Sequence, residues 1–170
     1  MLEAATLIFF PALMVFAAIS DLLTMTISNR VSIALAVLFV GMAFACGLSL
    51  AEIAWHLACG AVILALTFFM FARGWIGGGD AKLAAATAIW LGFDHLGDYA
   101  FSASVLGALL TLAILGLRKL PLPNVLSARQ WGARLLDPAT GIPYGVTFAS
   151  AGLLLYPGTA IWLSAANALR

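Results

Sequence analysis

The chain has 170 residues, 64% of them hydrophobic and 9% charged, with a formal net charge of +1 and a mean hydropathy of +1.11. A domain of this size leaves much of its surface exposed, so these side chains cannot all be hidden in a water-soluble core, and lipid must be the solvent for most of them. A soluble fold is excluded, no cluster of cations with interleaved aromatics points to a nucleic-acid partner, and no long polar stretch could house a second domain, so residues 1–170 read as one membrane domain.

Runs of about 20 apolar residues, the length that crosses a bilayer, predict six spans near 4–20, 31–50, 52–72, 81–93, 99–117 and 143–163. Spanning segments must satisfy their own backbone hydrogen bonds, and no strand-like alternation or internal repeat stands out. The expected fold is an all-α membrane protein, a polytopic bundle of about six transmembrane helices. The first span lacks a basic leading region and a small-residue cleavage site, which predicts a permanent helix and not a removable signal. It ends in Ser20-Asp21-Leu22-Leu23. An acid at a helix C-terminus opposes the helix dipole, so Asp21 sits there at a cost. A solvated boundary position, or a cap for Leu22 to Thr26, would also account for it.

Cys46 and Cys59 lie in separate spans, form no C-x-x-C pair and read as small buried hydrophobes. His56 and His95 have no second His or Cys at ligand spacing, and no zinc-ligand set is visible. Between the third and fourth spans comes Gly77-Gly78-Gly79-Asp80-Ala81-Lys82, a carboxylate in a glycine turn. An ionisable residue at such a position is a functional-site candidate, and the glycines permit a close backbone approach that a side chain would block. Asp80 directly before Ala81-Lys82-Leu83-Ala84 also has the makings of a helix N-cap. The fourth span is short and is expected to recruit Asp80 or the residues around Asp94 to reach both interfaces.

In the 118–142 loop, Pro121, Pro123 and Pro138 argue against one continuous helix, while Ser127 to Leu136 predicts a short amphipathic helix at the interface. Tyr156-Pro157-Gly158 interrupts the last span, leaving two readings of residues 156–170: one kinked helix, or a span followed by an interfacial segment.

The cations orient the bundle. Arg30, Arg73, Lys82, Arg118, Lys119, Arg129 and Arg134 follow the first, third and fifth spans, whereas the opposite loops carry Glu52, Asp94, His95 and Asp98 and no Lys or Arg. The positive-inside rule then places Asp21, Asp80 and the 118–142 loop on the cytoplasmic side and the N-terminus, with Glu3, outside. Arg170, at the far terminus, departs from the pattern. Of the seven acids, Glu3, Glu52, Asp94 and Asp98 face outward and Asp137 lies in the long loop. Asp21 and Asp80 remain, at the same membrane boundary. Two carboxylates held together cannot both ionise cheaply, so one keeps a proton while the other stays an anion. Such a pair can activate water and protonate a leaving amine without a metal, an organic cofactor or a nucleophilic side chain.

At this point the motifs resemble a known family. Gly77-Gly78-Gly79-Asp80 matches the GxGD motif of membrane aspartyl proteases, and its continuation through Ala81-Lys82-Leu83 resembles the type IV prepilin peptidases, in particular the short form serving Flp-type (tight-adherence) pili. Asp21 followed by Ile27-Ser28-Asn29-Arg30 is similar to the family's Asp, short spacer and Ile-Pro-Asn, with Ser28 in place of the proline. Gly141-Ile142-Pro143-Tyr144-Gly145 resembles the segment that enters the family's last helix. The resemblance implies that Asp21 and Asp80 are the catalytic pair, with Gly77, Gly78, Gly79, Lys82, Asn29, Pro143, Tyr144 and Gly145 in support. Lys82 would either tune Asp80 or anchor the interface, and Pro143 to Gly145 would shape the cleft or simply join loop to helix.

The implied substrates are prepilins and pilin-like proteins, cut at the cytoplasmic face of the bacterial inner membrane between a basic leader and the apolar helix that follows. Longer relatives carry a cysteine-paired cytoplasmic insertion and also N-methylate the product. Here only eight residues separate Asp21 from Arg30, so methylation is not expected. The alternatives are an archaeal-type preflagellin peptidase, a presenilin-like intramembrane protease with acids deeper in the spans, and, outside the enzymes, a small ion or proton transporter. The oligomeric state is left open.

Overall fold

The structure is a computed structural model that describes residues 2–120 and 129–168, with side chains from Leu7 onward. Eight α-helices follow one another among the described residues: α1 (Leu2–Thr24), α2 (Asn29–Ala45), α3 (Leu50–Ala72), α4 (Gly78–Leu91), α5 (Leu96–Leu117), α6 (Gln130–Leu136), α7 (Tyr144–Leu155) and α8 (Ala160–Ala168). Short 3-10 turns at Phe93–His95 and Tyr156–Gly158 lead into α5 and α8. The chain is an all-α membrane protein. Leu7–Thr24 of α1, Leu50–Ala72 and Phe93–Leu117 are each long and apolar enough to cross a bilayer, and the bent pair of α7 and α8 would make a fourth span.

Local chemistry sets the helix ends. Ser28 caps α2 by accepting the Arg30 N–H (3.3 Å). Ser49 and Glu52 form a reciprocal capping box at the start of α3, with the Ser49 N–H donating to Glu52 Oε2 (2.7 Å). Met25, just past α1, takes a left-handed φ of 54°, and its N–H donates to the Asp21 carbonyl (2.7 Å). That turn reverses the chain from α1 toward α2.

The organising element is α4. Its fourteen residues span roughly 21 Å at 1.5 Å per residue, short of the roughly 30 Å of bilayer hydrocarbon. It can be short because helices surround it where lipid would otherwise be: α2, α3, α5 and α7 all pack against it. Asp80, Ala81, Leu83 to Ala88, Trp90 and Leu91 are all buried. The run of alanines lets neighbouring backbones come close, which is how helices associate without a hydrophobic driving force. Gly60 of α3 lies where any β-carbon would overlap Ile89, and one on Gly152 of α7 would stand 2.7 Å from Thr87 Cγ2 and 2.9 Å from Met14 Cε.

An aromatic core sits at the Leu91 end of α4. Phe10, Trp90 and Tyr156 pack in tilted and edge-on pairs with ring centroids 4.3–5.8 Å apart. The buried indole N–H of Trp90 donates to the Leu35 carbonyl (2.9 Å). The outer faces of α3 and α5 show the opposite pattern, with Phe68, Phe69, Phe101, Leu109 and Leu112 all exposed for contact with lipid.

The interrupted last span bends by 54°. After the Tyr156–Gly158 turn, Thr159 is extended, and its hydroxyl donates to the Tyr156 carbonyl (2.8 Å) and accepts the Trp162 N–H (3.3 Å). The second half packs back on α1 with Ile161 and Ala165 buried, so the last apolar run is two helices broken at the Tyr156–Gly158 turn. Of the helix expected over Ser127 to Leu136, α6 is the described part; Ser127, Pro121, Pro123 and Arg170 lie outside the described residues, as does the side chain of Glu3.

Candidate active site

One end of the bundle collects the C-terminal turn of α1, the first turn of α4 and the first turn of α7. Asp21 arrives from α1 and is 5% exposed; Asp80 arrives from α4 and is 8% exposed. The sequence offered Asp80 as an N-cap, and the structure corrects this. Gly77 is the cap and Asp80 the third helical residue, its Oδ2 reaching back to accept the Gly77 N–H (3.2 Å). The helix begins earlier because glycines at its first two positions leave the turn free of side chains, and the acid can then satisfy the cap amide from inside.

The two carboxylates meet around one backbone amide. The Gly145 N–H donates to Asp21 Oδ2 at 2.7 Å, a short charge-assisted bond. Asp80 lies within electrostatic range of Asp21 and of that same amide. Its Oδ1 is buried and has no hydrogen-bond partner. A buried polar atom without a partner is costly, and the great majority have one. Here the orphan is a carboxylate oxygen beside a second carboxylate, where a shared proton would be held.

Close packing explains the glycines. A β-carbon on Gly145 would stand 2.5 Å from Ile27 Cδ1 and 2.7 Å from Asp21 Oδ2, so a side chain there would push away the acid that the amide holds. On Gly79 it would meet Ile27 Cβ at 3.2 Å, and on Gly78 the Phe71 ring at 3.2 Å. Ile27 is thus a wedge under both the GxGD turn and Gly145. Sequence reading had it only as one letter of a motif, although a buried isoleucine in the polar turn Thr26-Ile27-Ser28-Asn29 is a signal of its own.

The remaining candidates divide. Lys82 is exposed, and its Nζ donates to Asn29 Oδ1 (2.8 Å), so it ties α4 to the start of α2. Pro143 caps α7, and the Tyr144 hydroxyl pairs with Thr111 of α5 (3.2 Å). Arg118, which the charge map treated only as a topology signal, holds the approach to Gly145: its guanidinium donates to the carbonyls of Leu135 (3.0 Å), Thr140 (3.0 Å) and Gly141 (3.2 Å). Arg134 reaches the Leu23 carbonyl at the end of α1 (3.5 Å). His56 is remote from the acids, with Nδ1 hydrogen-bonded to the Ile89 carbonyl (2.7 Å) near the other end of α4.

Fold and site together define an all-helical membrane protein with a buried aspartate pair at one end of its bundle. The family model of the type IV leader peptidase family matches residues 8–112, more than half of the chain. The chain belongs to that family and is a type IV leader peptidase-like protease. The match takes in both acids, whereas Gly145 lies beyond it, in the Gly141-to-Gly145 segment singled out in the sequence, and the fold brings its amide to Asp21. No curated protein and no solved structure matches the chain significantly.

Proposed function

We propose that the protein is a membrane aspartyl endopeptidase that removes the leader of prepilins and pilin-like proteins at the cytoplasmic face of the inner membrane, with Asp21 and Asp80 as the catalytic pair. The observation that carries this reading is the meeting of the two buried carboxylates around the Gly145 amide, with Asp80 Oδ1 left unpartnered. The pair holds one proton. The ionised carboxylate takes a proton from water as its oxygen attacks the scissile carbonyl carbon, while the protonated one hydrogen-bonds to the carbonyl oxygen. When the tetrahedral intermediate collapses, the C–N bond breaks and the leaving amine takes up a proton from the pair. The leader departs with a new carboxylate and the mature protein with a new amine.

Position supports a cut at the membrane boundary over one in mid-bilayer. Asp21 lies in the last turn of α1 and Asp80 in the first turn of α4, so an apolar substrate helix can stay in lipid while its leader extends into the interface. The loop cations gather at this same end, which favours a cytoplasmic site with the N-terminus outside. The short Asp21-to-Arg30 connection favours the Flp-type short form, without methyltransferase activity.

The test is reconstitution with a prepilin in lipid. The parental protein should cleave it with a bell-shaped pH profile belonging to the pair, and Asp21→Asn and Asp80→Asn should each abolish cleavage while keeping helicity and monodispersity. Full activity in either variant removes that acid from the mechanism.

A further inference from the structure

A cavity of about 700 Å³ opens between α3 and α5. We propose that it seats the apolar helix of the substrate, which enters sideways from the bilayer and presents its leader junction to the acid pair. The inference rests on the peptidase reading above and adds where the substrate's membrane segment binds.

Three observations carry it. First, α3 and α5 belong to segments long and apolar enough to cross a bilayer, so a gap between them is expected to open toward lipid. Its floor is protein, formed by Ala84 of α4 and by Tyr144, Thr147 and Phe148 of α7.

Second, residues that line the groove adjoin the site residues along the chain. Tyr144 directly precedes Gly145, whose amide holds Asp21; Ala84 lies one turn beyond Asp80; and Trp75 and Ile76 at the rim lead into Gly77. Thr67 in the α3 wall donates to the Ala81 carbonyl (3.2 Å), fixing the wall to the first turn of α4. A helix lying in the groove would therefore run toward the turn that carries Asp80.

Third, the lining suits a helix. Ala100, Ser104, Gly107, Ala108 and Thr111 of α5 fall at spacings of three and four and form one face of small residues. Such faces let helix backbones approach closely in lipid, where van der Waals packing drives association. Tyr99, 3% exposed, belongs to the same wall. An acyl chain, the rival occupant, gains nothing from a small-residue face.

The experiment places a photo-crosslinking amino acid at Ala108, in the groove, or at Leu109, its lipid-facing neighbour on α5, in the inactive Asp80→Asn protein reconstituted with a Flp-type prepilin. Capture of the prepilin's apolar helix should be at least about tenfold greater from position 108. Equal capture from both positions, or lipid adducts alone at 108, overturns the groove. In the active protein, Ala108→Trp should raise KM for the same prepilin at least about tenfold with a smaller change in kcat, and Leu109→Trp should leave both constants as they were; an unchanged KM in Ala108→Trp again overturns the proposal. Cleavage by the parental protein is scored separately. If it is absent, the peptidase reading falls, whatever the crosslinks show.

Discussion

The two ends of α4 are built from the same few residue types to opposite ends. Toward Leu91 the polar groups are closed off: Trp90 donates to Leu35, His56 pairs with the Ile89 carbonyl, and Gly92, at a φ of +70°, ends the helix against the His56 ring. Toward Gly78 the helix carries a buried acid with one oxygen unpartnered, facing a second acid from another helix. Burial alone does not separate the two ends, since Trp90 is at 0% exposure and Asp80 at 8%. The kind of group separates them: Trp90 and His56 toward Leu91 are neutral donors with partners, whereas toward Gly78 a buried acid keeps an unpartnered oxygen.

That contrast can be tested in order of expected effect. Asp80→Asn keeps the shape of the acid end and removes its proton chemistry, and should lower kcat by about 10³-fold or more, near the upper part of the range for general acid–base groups. Circular dichroism and thermal melting should show a folded protein. Gly145→Ala comes next: the added methyl must displace Ile27 or the Asp21 carboxylate, and a misplacement near 1 Å should lower kcat/KM by about 10²-fold. Activity close to the parental level would mean that the Gly145 amide does not set the geometry of Asp21.

At the other end, Trp90→Phe removes the hydrogen bond to Leu35 and should cost about 1 kcal/mol, seen as a lower unfolding midpoint in detergent with kcat unchanged. A large loss of kcat without a loss of stability would break the division between the ends. The smallest effect is expected in the turn behind Asp21. Met25 holds a left-handed φ of 54°, so Met25→Gly should raise stability by up to about 1 kcal/mol and leave cleavage as it was.

Much of the architecture was legible because lipid makes sequence explicit. Long apolar runs gave α1, α3 and α5, and the proline and glycine of Tyr156-Pro157-Gly158 gave the bend between α7 and α8. The shortness of the fourth run was visible, but its meaning was not. It suggested a span that recruits Asp80, and α4 does begin at Gly78 and take in Asp80; what the run did not show is that α2, α3, α5 and α7 pack around it. Lys82 shows the same limit: a cation two residues from an acid invites an electrostatic role, yet its side chain goes to Asn29.

By itself the sequence determined the solvent, the all-helical class and the two acids that matter as candidates, because hydropathy, helix length and the rarity of acids at a membrane boundary are properties of single segments. Tertiary structure alone decided which backbone amide holds Asp21, that Ile27 is the wedge beneath both glycine turns, and that a groove opens between α3 and α5. Gly145 lies 124 residues from Asp21 along the chain. A contact at that separation is written in no local pattern; it exists only because α1, α4 and α7 pack closely enough that a single β-carbon would prevent it.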